Sequence, residues 1–595
     1  MSKDGTKTFN GVDTSSESRK PGYLKRAINR SFRDSSNKTR PPFIEYNCSF
    51  YNSEDEYVFR NGAITGMQYF RGIKNKTNPF LVVAVNDRIL AGIISSNSVV
   101  FYPSIFKGIN PDIQSSFFCK AEDILVFQNG KDYPLYWRGG FRAGVGLDQM
   151  RAVYESNFVG SSPMYIGNIM TYCHGRIFVA TEYDLIYASD HIYSQGISLD
   201  SNEAVLRFSE SQYPSSGDGF GATSDMDQIT GLAAVRRSGT INGHGEVFAF
   251  CRNGAFSIDP TPFRPDWTSQ SIQKTLFVGR GCSSPHSILN IGEDIFYRDS
   301  DGHISSLKFS AYQNTAEYES DSLSQEVDKY LSYDDGPLLS HSKSIFTDGR
   351  ALFSCAIDIE KSILGGSHIF SNGLVSMDFS RNENKMKFDG MWTGPRVTQC
   401  CSVFSGGVKS SVFASYDTDK KNRLYFLSKK PGDDYTNGIK KKIVSMYSQN
   451  MLFYSTDINS TQTTKLVKHD VGYKEALGEI TVGSFSSRDG SLCQEVLLGE
   501  TKRGSDDCLI FKKEKNGCAI QTKAKDFGII TSETPCSHED GRFFDVSTVI
   551  TGSVTIISDT ITGQEESRDT KFSNKKCEQD IQCCSIEDQN FINQF

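Results

Sequence analysis

Short apolar runs broken by tight-turn dipeptides recur from about residue 55 to residue 445, and they constrain the fold more than any other feature. The runs Phe80–Val85, Ile89–Ile94, Ile124–Phe127, Ile177–Ala180, Leu185–Ala188, Val247–Phe250, Ala255–Ile258 and Ile295–Tyr297 are each three to six residues long. Asn86-Asp87, Asn129-Gly130, Asn253-Gly254, Asp301-Gly302 and Asn372-Gly373 punctuate them. Both residues of an Asn-Gly or Asp-Gly pair accept positive φ, so the pair joins antiparallel strands with little strain. Val247–Ile258 and Asp294–Leu307 therefore predict hairpins. Aromatics make up 12%, with 41 Phe and 26 Tyr, which suits pleated, packed surfaces. Some 400 residues of this pattern predict an all-β fold, and a β-propeller of short antiparallel blades disposes of so many strands with few exposed edges. Helical spacing is scarce; Leu323, Val327, Tyr330 and Leu331 predict one helix over Asp321–Leu331.

The texture changes at both ends. Residues 1–45 hold two adjacent prolines, Pro41 and Pro42, which favour extended backbone. Residues 1–42 carry ten Lys/Arg against four Asp/Glu, a net +6, while the whole 595-residue chain carries −7. The reading is an extended basic N-terminal arm (1–45) that orders on a partner, a propeller (46–445), and a smaller β-rich platform or assembly domain (446–595) rich in Thr, Ser and Lys. Arg30, Arg33, Arg40, Pro41 and Phe43 are the candidate partner-docking residues.

Catalytic and cofactor signatures are not found. The 15 cysteines include Cys400-Cys401, Cys583-Cys584, Cys577 and Cys536 near His538, but none has the C-x₂₋₄-C spacing that aims two thiolates at one zinc ion. Buried, reduced thiols are expected instead. His174 and His303 sit at turns, without a nucleophile context. The glycines around 139–144 lack the Lys-Ser/Thr of a phosphate loop. Asp123, Asp190, Asp294, Asp299 and Asp348 could serve a glycosidase only if two were paired across a sugar, and carboxylates in turns more often bond their own backbone. The expected catalytic, cofactor and metal sets are therefore empty. No stretch approaches 18 apolar residues and the first 20 are polar, so neither a membrane span nor a secretory segment is expected. An acidic body repels phosphate, which argues against a DNA-gripping groove and fits a channel through which DNA slides.

The order of several segments carries a resemblance. Thr39-Arg40-Pro41-Pro42-Phe43 is similar to a Thr-Arg-Pro-Gly-Phe motif, with Pro42 in place of Gly. Asp123 to Gly130 leads into Pro134-Leu135-Tyr136-Trp137, and Gly175 to Ala180 into Ile186-Tyr187-Ala188-Ser189-Asp190. Ile229-Thr230-Gly231-Leu232, Gly281-Cys282, Ser287-Ile288-Leu289, Trp392-Thr393-Gly394 and Asn422-Arg423-Leu424-Tyr425 follow, with Gln521–Gly528 as a weaker continuation. In this order they resemble the tail nozzle proteins, or tail tubular protein B, of short-tailed bacteriophages. The resemblance implies a propeller fused to a platform and a non-catalytic virion protein assembled in the host cytoplasm. It further implies a homomeric ring, commonly a hexamer, below adaptor or tail-tube ring proteins and near tail fibres. Such a ring continues and gates the DNA channel and supports genome ejection. The alternatives are a propeller-type tail adhesin or glycan-binding protein, and a propeller hydrolase.

Overall fold

A computed structural model of the protein describes residues 2–6, 9–14, 22–72, 79–142, 146–153, 163–181, 184–192, 201–209, 219–235, 245–260, 267, 273–310, 322–356, 369–379, 386–452, 463–487, 496–503, 509–511, 528–533 and 543–566, except 223, 335 and 406. Strands dominate, and they form a five-bladed propeller arrangement joined to a large curled sheet.

The five blades are small antiparallel sheets in chain order. The first is built on Ile64–Phe70, Phe80–Val85, Arg88–Ile94 and Ser98–Phe101, with Asn47–Phe50 added in parallel at its rim. The second runs Phe117–Ala121, Ile124–Gln128, Leu135–Trp137, Arg151–Ala152. The third runs Ile169–Cys173, Arg176–Ala180, Leu185–Ala188, Gly219–Gly221. The fourth runs Ile229–Ala234, Val247–Cys251, Gly254–Ile258, Gln273–Val278. The fifth has three strands, Leu289–Ile291, Asp294–Arg298 and Ile304–Ser306. The leading strands Ile64–Phe70, Phe117–Ala121, Ile169–Cys173 and Ile229–Ala234 lie side by side in turn. Leu289–Ile291 then adjoins Ser344–Thr347 of the curled sheet, whose strand Lys387–Ser405 returns to Ile64–Phe70 and completes the circuit.

Packing explains why strands such as Phe80–Val85 are apolar at every position. A strand points successive side chains to opposite faces, and here both faces are covered. Phe80, Val82 and Ala84 pack towards Leu125, Phe127 and Trp137 of the second blade. Leu81, Val83 and Val85 pack the other way, onto Val403, Val412 and Leu424 of the curled sheet. Ile124 and Val126 meet Ile177 and Val179. Phe178 and Ile186 meet Val247 and Phe256, and Phe248 and Phe250 meet Ile295 and Tyr297. Each such fully buried side chain contributes about 1.5–3 kcal/mol, so the wedges between blades are the main source of stability.

The curled sheet draws on both ends of the chain. Lys387–Ser405 bends near Val397: its first half pairs with Ser371–Asp378 and its second with Val408–Tyr416. Asn422–Leu427 pairs with Phe43–Glu45. Val444–Leu452 lies between Arg26–Ile28 and Phe543–Glu566, and the latter also pairs with Ser2–Thr6 and Thr463–Ser487. This corrects the expected arm. Residues 22–45 are strands inside the fold, and Phe9, Leu24, Ala27 and Phe32 are core. The smaller β-rich unit is thus composite, and a strand runs across the expected boundary at 446.

Local expectations fare unevenly. Asn86-Asp87 is a two-residue turn closing the register Val85↔Arg88, with Asn86 at φ 47°. In the fourth blade the turn is Arg252-Asn253, and Gly254 already opens the next strand. A Cβ on Gly254 would stand 2.6 Å from the Phe277 carbonyl oxygen, so glycine serves a close strand approach there. Asn372-Gly373 is no turn; it lies within Ser371–Asp378, where the register slips in a bulge. Of the expected helix, a 3₁₀ turn (Gln325–Val327) and one turn of α-helix (Asp328–Leu331) form within the described residues, burying Val327, Tyr330 and Leu331. The helix Ser53–Asn61, not foreseen, starts at Asn52, whose side chain accepts from the Glu54 amide at 2.9 Å. Among the described residues no helix is long and apolar enough to cross a membrane.

Candidate functional site

The residues singled out for docking lie inside the protein. Arg30 is 0% exposed. Its guanidinium donates to Asn37 Oδ1 (2.5 Å), the Asn37 carbonyl (2.6 Å), Thr39 Oγ1 (3.1 Å) and Ser445 Oγ (3.2 Å) and sits 5.7 Å from the Tyr447 ring centre. Burial, opposed by Tyr447, lowers its pKa to about 9. Arg33, half-buried, bridges Asp348 (2.9 Å) and Asp378 (3.1 Å). Arg40, 2% exposed, grips both oxygens of Asp434 at 2.9 and 2.6 Å, donates to Asn29 Oδ1 at 2.9 Å, and lies 4.8 Å from the Phe43 ring centre. Phe43 is buried edge-on against Phe413, and its amide donates to Asp434 at 2.8 Å. Pro41 is partly buried, and its carbonyl accepts from Arg40. These side chains fasten residues 22–45 to distant strands of the same chain, so Arg30, Arg33, Arg40 and Phe43 are spent internally and the expected docking role is corrected.

The candidate carboxylates are also engaged. Asp299 accepts from the amides of Asp301 (3.0 Å) and His303 (2.8 Å) and from Ser305 Oγ (3.0 Å), which shapes its own hairpin loop. Asp294 accepts from the amides of Ile295 and Lys308. Asp348 pairs with Arg33 and Arg350. Cys119, Cys173, Cys251, Cys282 and Cys355 are buried and unpaired, and desolvation raises their thiol pKa values. His174 stands at a turn with φ 48°.

The most distinctive chemistry lies where the leading strand of the first blade meets the curled sheet. A small pocket, open to solvent, is lined by Ala63, Ile64, Thr65, Gln114, His341, Lys343, Ile369, Thr398 and Gln399. Ile64 and Thr65 begin the leading strand of the first blade; Gln114 precedes that of the second. His341 and Lys343 precede Ser344–Thr347, and Thr398 and Gln399 sit just past the bend of Lys387–Ser405. The walls are braced: Gln399 Nε2 donates to the Thr65 carbonyl (2.8 Å), Thr65 and Ser116 share a hydroxyl bond (2.8 Å), and the Lys343 amide donates to Ser354 Oγ (2.7 Å).

Lys343 is 5% exposed, and among the described residues no carboxylate pairs with its ammonium. Its neighbours are cationic or neutral. Burial brings its pKa down to about 7, opposed only by Cys400. His286 stacks on Phe117 (4.7 Å) and shares a bond with Ser115 Oγ (2.8 Å). Burial, then repulsion from Lys343 and His341, holds its pKa well below the usual imidazole value. His341 is likewise lowered, by burial first and by Lys343, against a bond to the Pro337 carbonyl at 2.9 Å. The result is a buried cation flanked by two imidazoles, without a counter-charge. Sequence reasoning missed it, because His341-Ser342-Lys343 reads as an ordinary polar loop and Ser115 and His286 lie elsewhere in the chain.

No protein-family model and no curated protein matches the sequence. Among solved structures, the crystal structure of BBS1N in complex with ARL6DN, soaked with lead, is similar over 66% of this chain and 99% of that one, at 10% identity and a TM-score of 0.36.

Proposed function

We propose that the chain is a structural subunit of a short-tailed phage tail, a nozzle ring that continues and gates the DNA channel and supports genome ejection. The reading rests on the ordered segments from Thr39–Phe43 to Asn422–Tyr425, which resemble that family. The fold gives those segments a mechanical sense. Arg40 and Phe43 lock Phe43–Glu45 onto Asn422–Leu427, next to Asn47–Phe50 at the rim of the first blade, so the segment stitches the last strands of the circuit to the first. A closed circuit presents few free strand edges, which suits a part that must bear load and associate only through chosen faces. Copies in a closed ring would meet through heterologous contacts. No catalytic step is assigned. Adaptor or tail-tube proteins, tail fibres and passing DNA are the proposed neighbours, and the virion the proposed location.

The test is to label the protein with immunogold on intact particles and on isolated tails. Gold confined to the distal end of the tail supports the proposal. Gold absent from tails, or spread along fibres alone, overturns it, the second outcome favouring an adhesin.

A further inference from the structure

We propose that this pocket is a binding site for one small oxyanion, a phosphate or carboxylate group, held by Lys343 and His341. Such a site requires no role in a tail. A buried ammonium is costly to leave without a counter-charge, because the low dielectric around it weakens its solvation. Proteins meet that cost by pairing the charge, by neutralising it, or by binding an anion. Among the described residues no acid pairs with Lys343: the rest of the lining is Gln114, Thr65, Thr398, Gln399, His341 and three aliphatic residues.

The titratable groups around Lys343 are His341 in the same loop, His286 in the 3₁₀ turn Pro285–Ser287, and Cys400 on Lys387–Ser405. None supplies a negative charge near neutrality, since burial pushes the Cys400 thiol up to about 12. His341 Nδ1 lies 2.9 Å from the Pro337 carbonyl, an acceptor, so Nδ1 carries hydrogen and Nε2 is the nitrogen left to gain a proton. An incoming oxyanion would accept from Lys343 Nζ and stabilise the protonated form of His341. The pocket is small and opens to solvent, so it has room for a single small group and not for a large ligand. Anion and protons are taken up together, so affinity falls as pH rises.

The test is isothermal titration of the full chain with inorganic phosphate and, separately, with acetate, each against chloride at matched ionic strength. The expected result is one site, with binding about tenfold or more weaker in Lys343→Met, as loss of a charge-assisted contact implies. Binding is also expected to be weaker at pH 9 than at pH 6. Phosphate preferred over acetate would assign a phosphoryl ligand, and the reverse a carboxylate. His341→Gln, at a half-exposed position, is the second variant and should weaken binding several-fold without affecting folding, so failure of Lys343→Met to fold leaves the proposal testable. Neither anion binding at pH 6, or equal binding by wild type and His341→Gln, overturns it.

Discussion

Arg40 illustrates how a residue's own sequence context can mislead. Its basic neighbours read as a docking arm, yet its carboxylate partner is Asp434, 394 positions away. Removing one member of a buried ion pair strands the other, which typically costs 3–5 kcal/mol. Arg40→Ala should therefore lower the midpoint of urea unfolding by roughly that much free energy, whereas an unchanged midpoint would mean the arginine is held only loosely. Lys343 gives a pH prediction. Its folded pKa of about 7 lies below the ordinary 10.5. Between those values the unfolded chain binds more protons, so this group's contribution to stability rises with pH, and its cost is present in full below pH 7. Lys343→Met should thus be more stabilising at pH 6 than at pH 9.5 by thermal melting. An equal effect at both pH values would show that the ammonium is not desolvated. For cysteine, Cys119, Cys173, Cys251 and Cys282, each at about 12, should resist iodoacetamide in the native protein, read by peptide mass spectrometry. Rapid labelling at any of them would contradict its placement in the core.

At the scale of elements, the strands were the legible part. Phe80–Val85 and Leu185–Ala188 were readable because unbroken apolar runs bounded by turn residues match strands buried on both faces. The helix Ser53–Asn61 was not readable, since its exposed face carries the charge and only Asp55 and Phe59 are buried. Residues 22–45 were misread for a different reason. Their strands are two or three residues long, too short to show alternation, and their stability comes from Asp348, Asp378 and Asp434 far along the chain. Deleting residues 1–42 should accordingly abolish cooperative unfolding by circular dichroism; a deletion variant that melts like the parent would restore the idea of a detachable arm. The pocket was invisible for the same reason, because five separate segments build it. Close approach between elements can be tested at Gly281, where a Cβ would fall 1.9 Å from the Cys251 carbonyl oxygen. Gly281→Ala should destabilise by about 1–3 kcal/mol or more, as overpacking does.

For the whole molecule, closure is the organising feature. Wedge-shaped cores between successive blades make stability a property of the circuit, and the N-terminal strands complete it by joining sheets that lie hundreds of residues apart. Weaving Arg26–Ile28, Asn37–Thr39 and Val444–Leu452 into one sheet with Phe543–Glu566 ties the propeller to the β-rich unit, so the two should unfold together rather than in separate steps. On the proposed reading, this closed circuit is one subunit of a channel wall. Negative-stain electron microscopy of the purified protein tests that claim most directly. The account predicts closed rings of several copies around a central channel. A uniform field of single particles that never form rings, at any concentration or with tail parts added, would contradict it.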